Sequence, residues 1–521
     1  MSTANKTPSA SAREWIAVLA GMIGAFMAIL NIQITNASLL DIEGGIGTGV
    51  DNGAWISTSY LIGEIVVIPL TAYLSNVFSF RRYILVNSIL FPLFSIACSF
   101  AHDLGTMIVL RGLQGFAGGV LIPMAFTMVL TKLPKNQQPL GLAIFALSVT
   151  FAPAIGPTIG GYLTENYGWQ TIFYINAVPS AIMAAALAAT LDPTPMRLGL
   201  LREGDWFGIV TMTIGLSAFQ TVLEEGNKDD WFSSPFIVKL SIVAAVFLIT
   251  FIWIELTVEK PLVKLRLLAQ RNFGIGVVVN VLVGIALFGT VYILPQYLGQ
   301  VQRYNAEQIG YVLAWTGLPQ LLLIPLVPIL MKRFDARYIG FLGISIFAAS
   351  CFLNIYLSAD NAGDQFWIPN IIRAIGQALV LTPITAITTG GIAPADAAAA
   401  SGLTNMLRNL GGAVGTASLG TILTKREQFH SNVIGQSITM AKDEVRLRVD
   451  TLTGYFMSHG VADKAQATKQ AVVALGRVVR KQALIMGFSD TFAVIGTVLA
   501  IAAVALLLAK RSAAGGGAGA H

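Results

Sequence analysis

The chain has 521 residues, of which 55% are hydrophobic and only 12% charged, with a mean hydropathy of +0.70. Soluble domains carry roughly 25% charged residues, so a water-soluble fold of this size is excluded and lipid must solvate most of the surface. The formal net charge of +6 does not mark a nucleic-acid binder, because the basic residues fall in short clusters between apolar runs, where they set membrane orientation.

Spanning roughly 30 Å of hydrocarbon takes about 20 helical residues. Apolar runs of that order lie near 15–40, 53–76, 82–101, 106–131, 139–163, 169–191, 205–224, 235–258, 272–298, 307–330, 337–357, 366–390, 396–424 and 487–509. Backbone polar groups find no water in lipid, and runs this long exceed barrel strands, so each predicts a transmembrane helix, fourteen in all. The first run is too long for a cleavable signal and lacks a small-residue cleavage site, which makes it an uncleaved first span.

Charge then orients the spans. One set of alternate connections carries Lys6, Arg13, Arg81, Arg82, Lys132, Lys135, Arg197, Arg202, Lys260, Lys264, Arg266, Arg271, Lys332, Arg333, Arg337, Lys510 and Arg511. The opposite short loops carry only Lys228, Lys239 and Arg303, so both termini are expected in the cytoplasm. The hydrophilic stretch from Lys425 to Asp490 falls on the outer side and, being long, is exempt from the charge rule. Val445, Leu447, Val449 and Leu452, then Val472, Val473, Leu475, Val478 and Val479, have near-helical spacing. They predict two amphipathic helices, or extensions of spans 13 and 14, above the membrane, against the alternative of a solvated loop. The Gly/Ala-rich tail is expected to be disordered. Cys98 and Cys351 lie in apolar runs and read as free thiols, and the four histidines show no metal-ligand spacing.

The chain repeats internally. Arg111-Gly-Leu-Gln114-Gly115 in span 4 is echoed by Arg373-Ala-Ile-Gly376-Gln377 in span 12, Gly156-Pro-Thr-Ile-Gly160 by Gly411-Gly-Ala-Val-Gly415, and Arg81-Arg82 by Lys332-Arg333. The near-constant offset maps spans 1–6 onto 9–14. The predicted fold is therefore an all-α polytopic membrane protein of two six-helix halves around a midplane site, with two inserted helices. The expected divisions are a cytoplasmic N-terminus (1–14), an N-terminal half (15–191), the inserted pair (205–258), a C-terminal half (272–509) containing an outer segment (425–486), and a cytoplasmic tail (510–521).

Two features carry chemistry. Glu64 is the one carboxylate well inside a predicted span. About eleven residues into span 2 at ~1.5 Å each, it lies ~16 Å deep, where an acid is costly unless paired or facing a cavity. It is the expected proton-coupling group, against the alternative of a structural ion pair. Arg111, ~8 Å below the outer end of span 4, is expected to tune it directly or through Gln114 and water. In span 5, Gly156, Gly160 and Gly161 invite close helix approach while Pro153 and Pro157 bend the chain, giving a hinge and seal or simply small-residue packing.

The segments Arg111-Gly-Leu-Gln-Gly-Phe-Ala-Gly-Gly with Pro123, Ala152-Pro-Ala-Ile-Gly-Pro-Thr-Ile-Gly-Gly, Trp169-Gln-Thr-Ile-Phe-Tyr-Ile-Asn176 and Ser401-Gly-Leu-Thr-Asn405 with Arg408 resemble the 14-span drug/proton antiporter family of the major facilitator superfamily, the EmrB/QacA-type multidrug exporters. Over nearly the whole chain, the resemblance implies proton-driven multidrug efflux without a cofactor. It also implies a periplasmic adaptor and an outer-membrane channel as partners, with residues 425–490 as the docking surface, and a bacterial inner-membrane location. It assigns the span 5 motif to exporters. The family usually places an Asp in span 1, where this chain reads Leu30-Asn31-Ile-Gln33-Ile-Thr35-Asn36, so no titrating role transfers to Asn31. The family's charged loop latch is reduced to Asn76, Arg81 and Arg82, which leaves the latch in doubt. Polar candidates for a substrate cavity are Asn31, Gln33, Asn36, Gln114, Arg373, Gln377, Asn405 and Arg408. Aromatic ones are Tyr60, Phe116, Phe126, Tyr292, Tyr297 and Trp315, each equally explicable by packing. A symporter or facilitator of one solute is the alternative direction. An enzyme or channel is disfavoured, since no catalytic, metal, filter or nucleotide-binding pattern appears.

Overall fold

The computed structural model describes residues 9–48, 50–393 and 396–510, and is helical throughout with no strand among them. The glycine-rich tail and the first eight residues, for which disorder and a cytoplasmic position were expected, lie outside the described residues. The long helices are α1 (Ala12–Ala37), α2 (Val50–Val77), α3 (Phe80–Cys98), α4 (Leu104–Lys132), α5 (Gln138–Tyr167), α6 (Thr171–Thr190), α7 (Trp206–Glu225), α8 (Pro235–Thr257), α9 (Arg271–Gln300), α10 (Glu307–Met331), α11 (Ala336–Phe352), α12 (Gly363–Thr389), α13 (Ala397–Ser437) and α14 (Lys464–Leu507). Several open on the expected local chemistry. Ser11 caps α1 in a capping box with Glu14, Asp103 caps α4 through the Thr106 amide, and Asp205 caps α7 through that of Gly208.

Eleven of these helices are long and apolar enough to cross a bilayer, and α5 makes twelve if its bent halves form one span. The other two expected spans coincide with α11, which has only 17 residues, and α13, which has 41 and is rich in polar side chains. Cys98 and Cys351 are free and buried, as their apolar surroundings predict.

Helix pairing in the first six helices recurs in the last six. α1 packs on α5 and α6 as α9 packs on α13 and α14, and α2 packs on α4 as α10 packs on α12. The two sets meet along α5 with α10, and along α2 and α4 with α13. The remaining pair, α7 and α8, pack on each other, and α7 leans on both α2 and α13 beside that second seam.

At ~1.5 Å per residue α13 and α14 measure roughly 60 Å, about twice the hydrocarbon thickness. Their excess forms a projection joined by Asp443–Ser458, whose Val449 and Thr453 are buried and which packs against α14. Asp490 of α14 ties the base together, accepting from Arg426 Nε at 2.5 Å and lying 2.7 Å from His430 Nε2. The hydrophilic stretch is therefore helical, by extension of both flanking helices plus one short helix.

Candidate functional site

Glycines bring α4 onto α2 where the chemistry lies. A Cβ on Gly115 would sit 2.1 Å from the Tyr60 carbonyl, and one on Gly119 2.9 Å from the Glu64 Cα. Only hydrogen fits there, which accounts for the glycine spacing after Arg111. Glu64 is thereby enclosed, with 4% of its surface exposed. Its Oε1 accepts a 3.0 Å hydrogen bond from Asn409 Nδ2 of α13, a bond that crosses between the two sets of six helices. Its Oε2 is buried with no partner. Two cations act on it through space, Arg408 first and Arg111 second, and neither hydrogen-bonds to it.

Arg111, expected to tune Glu64 directly or through Gln114 and water, is fully buried, bonds to Gln114 and acts on Glu64 through space without a hydrogen bond to it. Nη1 donates to Asn31 Oδ1 at 2.5 Å and Gln114 Oε1 at 2.8 Å, and Nε donates to the Ile56 carbonyl at 3.2 Å. The guanidinium lies 4.4 Å from the Tyr60 ring centre, whose hydroxyl donates to the Ala28 carbonyl. Asn31 thus supplies a neutral acceptor to a cation held by three helices, α1, α2 and α4. The physical reason is reach: Arg111 lies nearer one end than Glu64, and α1 offers a polar oxygen at its own level.

Between the two sets of helices lies a cavity lined by α5, α9, α10, α12 and α13. Val149 and Pro153 of α5 face Leu287 and Phe288 of α9 across it, with Thr316, Arg373, Gln377 and Arg408 supplying polarity. Arg373 donates through Nη2 to Thr316, and Arg408 through Nη2 to Asn405 at 2.8 Å, while the Nε of each is buried without a partner. Gln377 accepts from Gln320 at 2.9 Å.

Of the sequence-predicted cavity residues, Arg373, Gln377 and Arg408 line this space and Asn405 supports it. Asn31, Tyr60 and Gln114 belong to the Arg111 cluster. Gln33 packs against Gly156, and Asn36 is exposed and accepts from Ser57. Tyr292 lies near Gly420 of α13. Trp315, 47% exposed, belongs with Tyr311, Leu318 and Leu322 to an exposed stripe at helical spacing, which turns it outward. Phe126 packs edge-on against Phe145, and Tyr297 donates to the Ser358 carbonyl, so both are core, whereas Phe116 is partly exposed.

The two segments of α5, Gln138–Pro153 and Ile155–Tyr167, meet at 44° within the Pro153/Pro157 motif. Its glycines face α1: a Cβ on Gly156 would meet Gln33 Cβ at 2.5 Å, and one on Gly160 the Ile34 carbonyl at 2.9 Å. Gly161 is buried beside them. Where α2 meets α3, Asn76 donates to the Ala72 carbonyl of its own helix, Arg81 donates to the Ala188 carbonyl at the end of α6, and Arg82 is exposed. These contacts anchor helix ends.

Sequence reasoning missed Asn409 and Thr316, and it undercounted buried acids. Glu43, Glu225 and Glu255 are as enclosed as Glu64 although they lie near helix ends. Sequence position gives depth along a span, and burial by neighbouring helices is a different quantity.

Residues 21–416 match the sequence model of the Major Facilitator Superfamily. The chain is 32% identical to the colistin resistance protein EmrB of Acinetobacter baumannii over 497 residues, covering 95% of this chain and 96% of that one. It is 30% identical to the multidrug export protein EmrB of Escherichia coli K12, with 99% of each covered, and 29% identical to the fatty acid resistance protein FarB of Neisseria gonorrhoeae, with 98% of each covered. Its fold resembles the proton:xylose symporter XylE, with a TM-score of 0.58, 12% identity and 94% of each chain covered.

Proposed function

This chain belongs to the Major Facilitator Superfamily, and from that premise we propose that it exports small amphipathic compounds in exchange for protons by alternating access. In this reading the chain crosses a bacterial inner membrane fourteen times with both termini cytoplasmic, and it uses the proton gradient without a cofactor. The names of its relatives, multidrug export and colistin resistance proteins, support the direction of transport.

One observation carries the coupling mechanism: a buried acid, Glu64, is bonded across the two sets of helices to Asn409, beside a cavity-lining Arg408. Ionised, Glu64 accepts from Asn409 and offsets the Arg408 charge. Protonated, it weakens that bond and leaves the cavity one charge more positive. Proton occupancy thus alters both what holds the halves together and what the cavity favours, the requirement for opposed binding of proton and substrate. Reconstituted protein with a fluorescent amphipathic substrate tests this. Native protein should accumulate substrate under an imposed pH gradient and Glu64→Gln should not. Gradient-independent native transport, or gradient-driven transport by the variant, refutes the assignment.

The projection of α13 and α14 is proposed as the dock for a periplasmic adaptor leading to an outer-membrane channel. Replacing 425–486 with a short flexible linker should preserve transport in proteoliposomes and abolish resistance in intact cells. Retained resistance would make the projection passive.

A further inference from the structure

The start of α7 and the end of α8 bring together two acids that the coupling scheme does not use. Glu255 is fully buried, and its Oε2 accepts a 2.9 Å hydrogen bond from the Val263 amide. Asp205 Oδ1 accepts from the Gly208 amide at 2.8 Å. The remaining oxygens, Glu255 Oε1 and Asp205 Oδ2, are both buried and unpartnered. Both lie beside Gly208, where a Cβ would stand 2.2 Å from Asp205 Oδ2 and 3.1 Å from Glu255 Oε1. Surrounding charges are engaged elsewhere. Lys260 pairs with Glu203, Lys264 with Asp396, Arg266 donates to the Leu256 carbonyl, and the Tyr73 hydroxyl donates to the Leu200 carbonyl. Arg202 and Glu259 are exposed. Among the described residues no cation bonds to either acid.

Two ionised carboxylates cannot face each other in a buried site without a counter-charge, whereas one proton between them satisfies both orphan oxygens. The acids also hold something. Glu255 fixes Val263 in the linker between α8 and α9, residues 258–270. That linker inserts Leu262, Val263 and Leu267 into an apolar cluster with Ile68 of α2 and Leu403 of α13. Lys264 then ties the linker to Asp396, just before α13. The linker therefore bridges both sets of six helices on the side carrying the basic loops.

We infer that the buried Glu255 holds a proton that faces Asp205, and that this proton latches the α8–α9 linker across the α2–α13 seam. With the proton bound, Glu255 keeps its position and the linker stays docked. With it lost, repulsion drives the two side chains apart, the Val263 anchor is released and the seam loosens. The latch role rests on the alternating-access reading above, and the proton site itself does not.

Hydrogen–deuterium exchange of peptides covering 258–270 tests both, using full-length protein in lipid nanodiscs from about pH 6 to about pH 9 and normalising for intrinsic exchange. Native linker protection should drop by at least about tenfold as pH rises. Asp205→Asn and Glu255→Gln each replace an oxygen with a donor aimed at the other carboxylate, so either variant should stay protected throughout. Glu64→Gln should keep the native step, which separates this site from the coupling acid. A flat native profile, or a step that survives in both isosteric variants, overturns the proton site. Restoration of protection at alkaline pH by sodium ions would also overturn it, in favour of a metal cation between the acids.

Discussion

The bond from Asn409 to Glu64 connects the two sets of helices, so its free energy enters directly into the balance between conformations that keep it and those that break it. A hydrogen bond to an ionised group is worth about 1.5–3 kcal/mol, against about 0.5–1.5 kcal/mol for a neutral pair. Asn409→Leu removes the donor and leaves Oε1 as unpartnered as Oε2 already is. With Glu64 ionised, the bridged population should therefore fall by on the order of 10- to 150-fold relative to the alternative. Electron–electron resonance between spin labels on α2 and α13 reads that shift as a change in distance distribution. The sign follows from protonation. The effect is fully present at alkaline pH, where the carboxylate is charged, and shrinks at acid pH, where only a neutral acceptor remains. In a Glu64→Gln background it should also shrink to the neutral value. An Asn409→Leu shift of equal size at both extremes of pH, or unchanged in that background, would show that the bond does not sense the proton.

Arg111→Met should destabilise the protein by about 3–5 kcal/mol, because it strands the oxygens of Asn31, Gln114 and Ile56 in a buried site. A lowered unfolding midpoint in detergent checks this, and a midpoint equal to that of native protein would reduce the cluster to packing. Gly160→Val places carbon 2.9 Å from the Ile34 carbonyl and 3.1 Å from its Cα, backbone atoms that cannot step aside. It should cost about 1–3 kcal/mol and widen the α1–α5 contact. Unchanged cysteine cross-linking between α1 and α5, together with full transport, would count against a close-packing role for the motif.

The helical frame was legible because lipid imposes a single length rule, and the basic loops and the repeat follow from chain order alone. α13 and α14 show the limit. Their apolar parts predicted spans, but their projecting halves are amphipathic and signalled only an ambiguous outer segment. Glu64 was legible by depth. Its partner was not, because Asn409 is 345 residues away and amides are common in helices. The hydrogen-bond partners of Arg111 were hidden for a related reason. Counting turns gives depth but not azimuth, and azimuth points its guanidinium at α1. The pair Asp205 and Glu255 was not legible, since nothing in spacing reveals that two helix ends bring their carboxyls beside one glycine.

The inserted helices acquire a purpose from this geometry. Six-plus-six symmetry alone leaves the α2–α13 seam open to lipid on one flank, and that is the seam where Glu64 meets Asn409. The apolar cluster holding Ile65, Val66 and Ile68 of α2 against Leu403 and Met406 of α13 is completed by Met212 of α7 and Phe251 of α8. A seam that must part in a transport cycle is thus lined partly by helices belonging to neither half. One acid, Glu64, lies within the seam, and the Asp205 and Glu255 pair lies at its basic-loop end. In the proposed cycle, protons arriving at the two places would act on the same packed surface, so separation of the halves would be conditional on both.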